Sequence, residues 1–139
     1  PLKFVPLAVN VIQHPLPTAA RCFKLGRAIR NAVETYNDDF TVAIFGTGGM
    51  SHQLSGERFG YLNSEFDEWF LDQIEGDPSA LISMTHQELM ERAGVEAVEL
   101  IMWLVMRGAM SDQVERIHRN YYVPMTTGMG LITLENVLP

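Results

Sequence analysis

The feature that most constrains the fold of this chain is an apolar strand, a helix and a second apolar strand in direct succession. Lys3 to Ile12 is rich in Val, Leu and Ile and is typical of a buried strand. Thr18 can cap a helix that runs to about Tyr36, with apolar residues at helical spacing. A second apolar run, Thr41 to Phe45, follows. A unit of this length predicts two parallel strands joined by a right-handed crossover. We therefore predict an α/β fold with a mostly parallel central sheet flanked by helices.

The remainder of the chain predicts several helices, marked by capping signals, and a final strand. Thr85 with Glu88 is a capping box, and Ser64 with Asp67 resembles one. The predicted elements are a helix from Ser64 to Glu75 with Gly76 as its C-terminal cap, a short helical piece after Asp77-Pro78, a long apolar helix from Val95 to Ala109, a short helix from about Ser111, a loop from Tyr121 to Gly130 and a strand from Leu131 to Glu135.

Composition bounds the possible functions of the chain. Its 139 residues suit one domain or part of one, and a hydrophobic share of 47% is enough for a sizeable core. A formal net charge of −7 disfavours nucleic-acid binding, because neutralising phosphates requires Lys and Arg. Cys22 is the only cysteine, which excludes an internal disulfide and fits a reducing cytoplasm. The longest apolar run, Leu100 to Met106, is too short to span a bilayer, so we expect no membrane association.

The two ends of the sequence suggest that the chain is part of a larger domain. It starts at Pro1 and reads as a strand by Phe4, and its last strand stops almost at Pro139. A complete domain usually has a polar approach at its ends. We therefore expect residues 1–139 to be a fragment or a processed chain, one portion of a domain whose remaining core lies elsewhere.

A glycine-rich loop, Gly46 to Gln53, directly follows the second predicted strand and contains His52. Ligands of open α/β sheets bind at the carboxyl ends of strands, where a histidine can move protons near neutral pH. His52 could equally cap a turn. The loop has no G-x-x-x-x-G-K-S/T phosphate motif. It also lacks the third glycine of the dinucleotide fingerprint, since position 51 is Ser51, and the second glycine of the nucleophile elbow, since position 53 is Gln53.

Glu99 lies inside the apolar helix and has two interpretations. A carboxylate buried in such a helix is costly unless a cation or metal pairs with it. Alternatively, Glu99 belongs to a polar stripe, pairs with Arg92 or faces water, and its spacing favours this second interpretation. The stripe comprises Arg92, Glu96, Glu99, Trp103 and Arg107.

Several segments together resemble the class III extradiol ring-cleaving dioxygenases, in particular the catalytic subunit of the protocatechuate 4,5-dioxygenase and gallate dioxygenase group. The resemblance covers nearly the whole chain, and its glycine–histidine and Glu-Leu-Ile-Met-Trp segments are specific. The segments are Pro6–Val11 (PLAVNV), Arg21–Gly26 (RCFKLG), Gly46–Leu54 (GTGGMSHQL), Val98–Leu104 (VELIMWL) and Met106–Ala109 (MRGA).

The resemblance implies a non-haem Fe(II) site built from two histidines and one glutamate, with open positions for a vicinal diol and for O2. It assigns the carboxylate ligand to Glu99, which reverses the interpretation from spacing, and the acid/base role to His52. The family's two iron-binding histidines lie near the N-terminus of the full catalytic chain. Their context is not matched by the remaining histidines, which are His14, His86 and His118.

Thr126 and Thr127 match the stretch that contacts the ring substituents of the substrate in this family. Two hydroxyl groups there could hold a carboxylate or a third hydroxyl. A simple turn, in which the threonine side chains bond to their own backbone, explains the two residues about as well. The choice between protocatechuate and gallate therefore stays open.

The function implied by the resemblance is extradiol ring cleavage of a catecholic acid such as protocatechuate or gallate, with Fe(II) and O2. Residues 1–139 then form the C-terminal portion of one catalytic domain. The implied partners are the aromatic diol carboxylate, the N-terminal portion of the domain, a small alpha subunit or a fused alpha-like domain, and further copies in an oligomer. Two alternatives remain: a non-catalytic binding protein of the same superfamily fold, or a regulatory or inactive chain.

Overall fold

Helices occupy most of the regular structure over residues 2–39 and 41–137, the part of the chain that the computed structural model describes. A single antiparallel pair of strands follows them within this part of the chain. The elements are α1 (Ala19–Glu34), α2 (Ser64–Glu75), α3 (Ser79–Ser83), α4 (His86–Ala93), a 3-10 turn (Glu96–Leu100), α5 (Ile101–Ala109), β1 (Val114–Tyr122) and β2 (Met129–Asn136).

Two of the three predicted N-terminal helix caps are confirmed, and the third is replaced by a neighbouring residue; Gly76 is the C-terminal cap of α2, as predicted. The Thr18 hydroxyl accepts the Arg21 amide at the start of α1. Thr85 and Glu88 form a reciprocal capping box at the start of α4. The cap of α2 is Asn63, whose side-chain oxygen accepts the Phe66 amide at 3.0 Å. The prediction of a Ser64–Asp67 box was therefore wrong, because Asp67 is turned into the interior of the protein.

The hydrophobic core lies between α1, α2 and α5. Helices α1 and α5 pack with their backbones in contact, which two glycines permit. A Cβ on Gly26 would collide with the Val105 carbonyl oxygen, and one on Gly108 would collide with that of Phe23. Phe70 of α2 packs edge-on against Trp103 of α5 with their ring centroids 5.8 Å apart. The long apolar segment of the sequence therefore forms the centre of this core.

The structure bears out the α/β class, but the described residues contain no parallel strand pair. The predicted strands Lys3 to Ile12 and Thr41 to Phe45 form neither a helix nor a paired strand. Most of their large apolar side chains are exposed, with 81% of the surface of both Phe4 and Phe45 accessible, whereas Val9, Val11 and Ile44 are partly buried against the core. A strand needs a neighbour to satisfy its backbone, and the described chain supplies none to these two segments.

Three predicted elements after Val95 differ from the elements in the structure. The short helix expected from Ser111 is instead the strand β1, and the final predicted strand is confirmed within β2. The predicted loop is shortened at both ends because Tyr121 pairs with Gly130 and Tyr122 with Met129. Val95 to Ala109, predicted as one helix, begins as a 3-10 turn and becomes α-helical at Ile101. None of the described helices is long and apolar enough to cross a membrane.

Candidate active site

The segment that carries His52 is fixed on one side by the loop between β1 and β2. The Met50 amide donates to the Gly128 carbonyl at 2.8 Å, and the Gly128 amide donates to the Ser51 carbonyl at 2.9 Å. These bonds form an isolated antiparallel bridge between His52 and Thr127. Two segments that are far apart in sequence are thereby brought side by side.

The C-terminal end of α4 fixes the same segment on its other side. The His52 amide donates to the Ala93 carbonyl at 2.8 Å, satisfying one of the carbonyls that a helix end leaves free. Gly94 follows with a φ of 97°, and a Cβ there would collide with the His52 carbonyl oxygen. The backbone of His52 is therefore held between a helix end and a strand-like loop, and its side chain is 8% exposed.

The imidazole of His52 has a defined hydrogen-bonding state. Its Nδ1 lies 2.8 Å from the Met50 carbonyl oxygen, which can only accept a hydrogen bond. The neutral ring therefore carries its hydrogen on Nδ1, and Nε2 keeps a free lone pair. Nε2 lies 3.6 Å from Glu99 Oε1, longer than a hydrogen bond. The ring can thus accept a proton at Nε2.

Glu99 reaches the same place from the 3-10 turn that precedes α5. Its Oε1 accepts the Gly49 amide at 2.6 Å, and 29% of its side chain is exposed. The pairing with Arg92, one of the two options of the polar-stripe interpretation, is not formed. Instead, the Arg92 guanidinium lies over the rings of Phe66 and Trp69, at 4.7 and 4.3 Å from their centroids.

Thr127 is the third residue that lines the site, together with His52 and Glu99. A Cβ built on Gly49 would lie 3.0 Å from Thr127 Cγ2, 3.1 Å from Glu99 Oε1 and 3.2 Å from His52 Cε1. The three side chains therefore meet around one glycine backbone. Thr126 precedes Thr127 in the same loop and is half-buried. The structure brings His52, Glu99 and Thr127 together, whereas Thr126 is linked to them only as the neighbour of Thr127 in the chain.

Sequence reasoning missed a buried carboxylate beneath the site. Asp67 is fully buried, and its Oδ1 accepts the Ser51 amide at 2.8 Å. Its Oδ2 accepts the hydroxyls of Ser51 at 2.6 Å and of Tyr121 at 2.8 Å. Burial raises the pKa of Asp67, and the Ser51 and Tyr121 hydrogen bonds act in the opposite direction. The available signal was its place on the apolar face of α2, which also includes Phe66, Phe70, Leu71 and Ile74.

One carboxylate at the site could serve as a metal ligand. A glutamate carboxylate with an exposed edge is a suitable ligand for a divalent cation, and Glu99 provides one. Within the described ranges no three His, Cys, Asp or Glu side chains are grouped so as to hold a metal. His86 Nε2 lies 2.9 Å from the Pro17 carbonyl oxygen, away from this site, and His14 and His118 are exposed.

Comparison with known sequences gives one family and two informative relatives. The family described as the catalytic LigB subunit of aromatic ring-opening dioxygenase matches residues 1–132. A gallate dioxygenase from Pseudomonas putida strain KT2440 is 51% identical over 136 residues, which is 98% of this chain and 40% of that protein. A 2,3-dihydroxyphenylpropionate/2,3-dihydroxicinnamic acid 1,2-dioxygenase from Photorhabdus laumondii is 33% identical over 64 residues, or 46% of this chain and 20% of that protein.

Proposed function

The chain belongs to the family of the catalytic LigB subunit of aromatic ring-opening dioxygenases, and we propose that it supplies the acid/base and carboxylate side of an extradiol ring-cleaving site. The proposed substrate is a catecholic acid, gallate or protocatechuate. The observation that carries the proposal is the position of His52 Nε2, 3.6 Å from Glu99 Oε1 in a site that Thr127 also lines.

His52 is proposed to move protons without binding the metal. Because the Met50 carbonyl holds Nδ1 in its protonated form, Nε2 is the ring atom that can take a proton from a substrate hydroxyl. The imidazolium formed would be stabilised by Glu99 Oε1 at 3.6 Å. His52 then returns that proton from the same atom as the ring opens. A general acid and base of this kind is typically worth about 10²–10⁴-fold in rate.

Glu99 is proposed as the one metal ligand that this chain contributes. When bound, Fe(II) supplies a Lewis-acidic centre that lowers the pKa of the diol hydroxyls and leaves open positions for the diol and for O2. The amide of Gly49 fixes Oε1 and thereby orients the carboxylate, as hydrogen bonds to metal-binding carboxylates commonly do.

The substrate's ring substituents are proposed to lie against Thr126 and Thr127. Thr127 is held next to His52 by the backbone bridge, so a ring whose hydroxyl reaches Nε2 would bring its neighbouring groups to this loop. A threonine hydroxyl can donate to a carboxylate and accept from a hydroxyl. The loop therefore suits either a protocatechuate-like or a gallate-like ring.

We further propose that residues 1–139 are the C-terminal portion of a catalytic domain. The chain spans about 40% of the length of the gallate dioxygenase that it matches. The exposed apolar segments at Lys3 to Ile12 and Thr41 to Phe45 are suited to become parallel strands against the remainder of such a domain. That remainder is proposed to bring the two histidine ligands, and a small alpha subunit or alpha-like domain and an oligomer complete the assembly.

The test uses the full-length protein that contains this chain, loaded anaerobically with Fe(II) and supplied with O2 and either gallate or protocatechuate. Ring opening is measured as O2 uptake and as the absorbance of the product. His52→Phe should keep its iron content and lose about 10²–10⁴-fold in kcat. Glu99→Ala should lose iron, and activity with it. The contrast separates proton transfer from metal coordination.

Three results would contradict the proposal. Loss of iron by His52→Phe to the same extent as by Glu99→Ala would make His52 a ligand. Full activity of His52→Phe on both substrates would leave the glycine loop with a structural role alone. A wild-type protein that binds a catechol but consumes no O2 would favour the alternative of a non-catalytic binding protein of the same fold.

A further inference from the structure

Asp67 connects the two segments that form the active site. It accepts both the amide and the hydroxyl of Ser51, the residue that precedes His52. It also accepts the hydroxyl of Tyr121, at the end of β1 that leads into the Thr127 loop. The backbone of Gly128 passes so close that a Cβ there would collide with Asp67 Oδ2. One carboxylate therefore contacts the segments of both His52 and Thr127.

The partners of Asp67 form further hydrogen bonds with residues at the start of α2. Ser51 Oγ accepts the Asn63 amide at 2.8 Å while it donates to Asp67. The Tyr121 hydroxyl also lies 3.1 Å from Ser64 Oγ. Each partner of Asp67 is thus fixed by a further group, which determines where the Ser51 backbone lies.

Packing alone does not explain a carboxylate at this position. Asp67 is fully buried next to Phe66, Phe70 and Leu71, where an apolar side chain would avoid the cost of desolvating a charge. No ion pair is formed by Asp67 within the described residues. Asp67 instead accepts three hydrogen bonds of defined direction, two of them from Ser51.

We propose that Asp67 is a positioning residue for the proton-transfer step, which acts through Ser51 to hold the His52 imidazole against Glu99. This inference rests on the proposed function of His52. Removing the two bonds to Ser51 should let the Met50–His52 backbone shift. A displacement of about 1 Å at a reacting group can cost about 100-fold in rate.

The experiment again uses the full-length, Fe(II)-loaded protein. Asp67→Asn preserves the side-chain volume and removes one of the two acceptor oxygens. It should leave the iron content and the KM for gallate near those of the wild type and lower kcat by about 10- to 100-fold. Asp72→Asn is the matched control, because Asp72 lies on the same helix, exposed and paired with Arg119. Ser51→Ala tests the same connection from its other end and replaces Asp67→Asn if that variant does not fold.

A double-mutant cycle distinguishes positioning from general damage to the fold. If Asp67 acts through His52, Asp67→Asn should lower kcat by less than about twofold in a His52→Ala background. An equal loss in both backgrounds would overturn the proposal, as would wild-type kcat in Asp67→Asn.

A readout independent of activity separates this inference from the proposed function. In iron-free protein with labelled histidines, the His52 ring signals are assigned from their loss in His52→Gln. In the wild type the His52 ring should carry its hydrogen on Nδ1, and Asp67→Asn should shift or broaden its signals. Unchanged signals would overturn the positioning role. A wild-type protein that opens no diol ring would instead overturn the proposed function, and the ring signals would still decide the role of Asp67.

Discussion

The Gly49 amide donates a 2.6 Å hydrogen bond to Glu99 Oε1 across 50 positions of sequence. This bond joins the glycine loop to the turn before α5, the two segments with the most specific sequence patterns. Because the acceptor is a carboxylate, the bond is charge-assisted and stronger than one between neutral groups. It orients Glu99 toward His52.

Gly49→Ala should disrupt the site more than it disrupts the fold. The added Cβ would lie 3.0 Å from Thr127 Cγ2 and 3.1 Å from Glu99 Oε1, so one of these groups must move. We expect kcat of the full-length protein to fall by about 10-fold or more. Gly76→Ala is the control, since its Cβ would meet only the Asp72 carbonyl oxygen, at 3.2 Å. Equal activity of the two variants would show that the loop tolerates a side chain at position 49.

The isolated chain of residues 1–139 should bind Fe(II) weakly or not at all. Glu99 is one ligand, and the described residues offer no group of three donors around it. Anaerobic titration of the purified chain with Fe(II) measures the affinity, with Glu99→Ala as the comparison. Tight stoichiometric binding would contradict the assignment of a single ligand and would require a role for His14 or His118.

Tyr121 should ionise well above the ordinary range of a phenol. Burial, followed by the hydrogen bond to Asp67, raises its pKa from 10.0 to about 12. Because the folded pKa is the higher one, the stability that Tyr121 contributes is complete below pH 10 and is lost as the pH rises to about 12. Titration of tyrosinate absorbance should show one late phenol that is missing in Tyr121→Phe. A variant whose titration curve matches the wild type would refute this assignment.

Arg107→Met should destabilise the fold substantially. Arg107 is 2% exposed, and its guanidinium donates to the carbonyls of Ile74, Gly76, Ser111 and Asp112. Leaving these acceptors without a donor should lower the free energy of unfolding by about 3 kcal/mol. Arg116→Met removes an exposed arginine paired with Glu75 and should cost less than about 1 kcal/mol. Denaturant unfolding of both variants tests the difference.

The sequence predicted the features that are decided by residues close together in the chain, such as helix caps. The caps Thr18 and Thr85 lie where they were predicted, because a helix start is decided within one turn of chain. The apolar segment that follows Val95 was recognised as buried from its composition. The strand β1 was missed because its pairing with β2, and not its own periodicity, makes it a strand.

The candidate site could be described only from the sequence and the tertiary structure together. His52 was singled out by its place in the glycine loop, and the resemblance assigned it a role; for Glu99 the resemblance predicted a metal ligand, whereas spacing alone favoured a polar stripe. Only the fold decides that Glu99 turns to His52 and that Arg92 stacks on Phe66 and Trp69 instead. The role of Asp67 was not predictable, since its partners Ser51 and Tyr121 lie 16 and 54 positions away. A local pattern specifies which side chains are available, and long-range packing determines which of them meet.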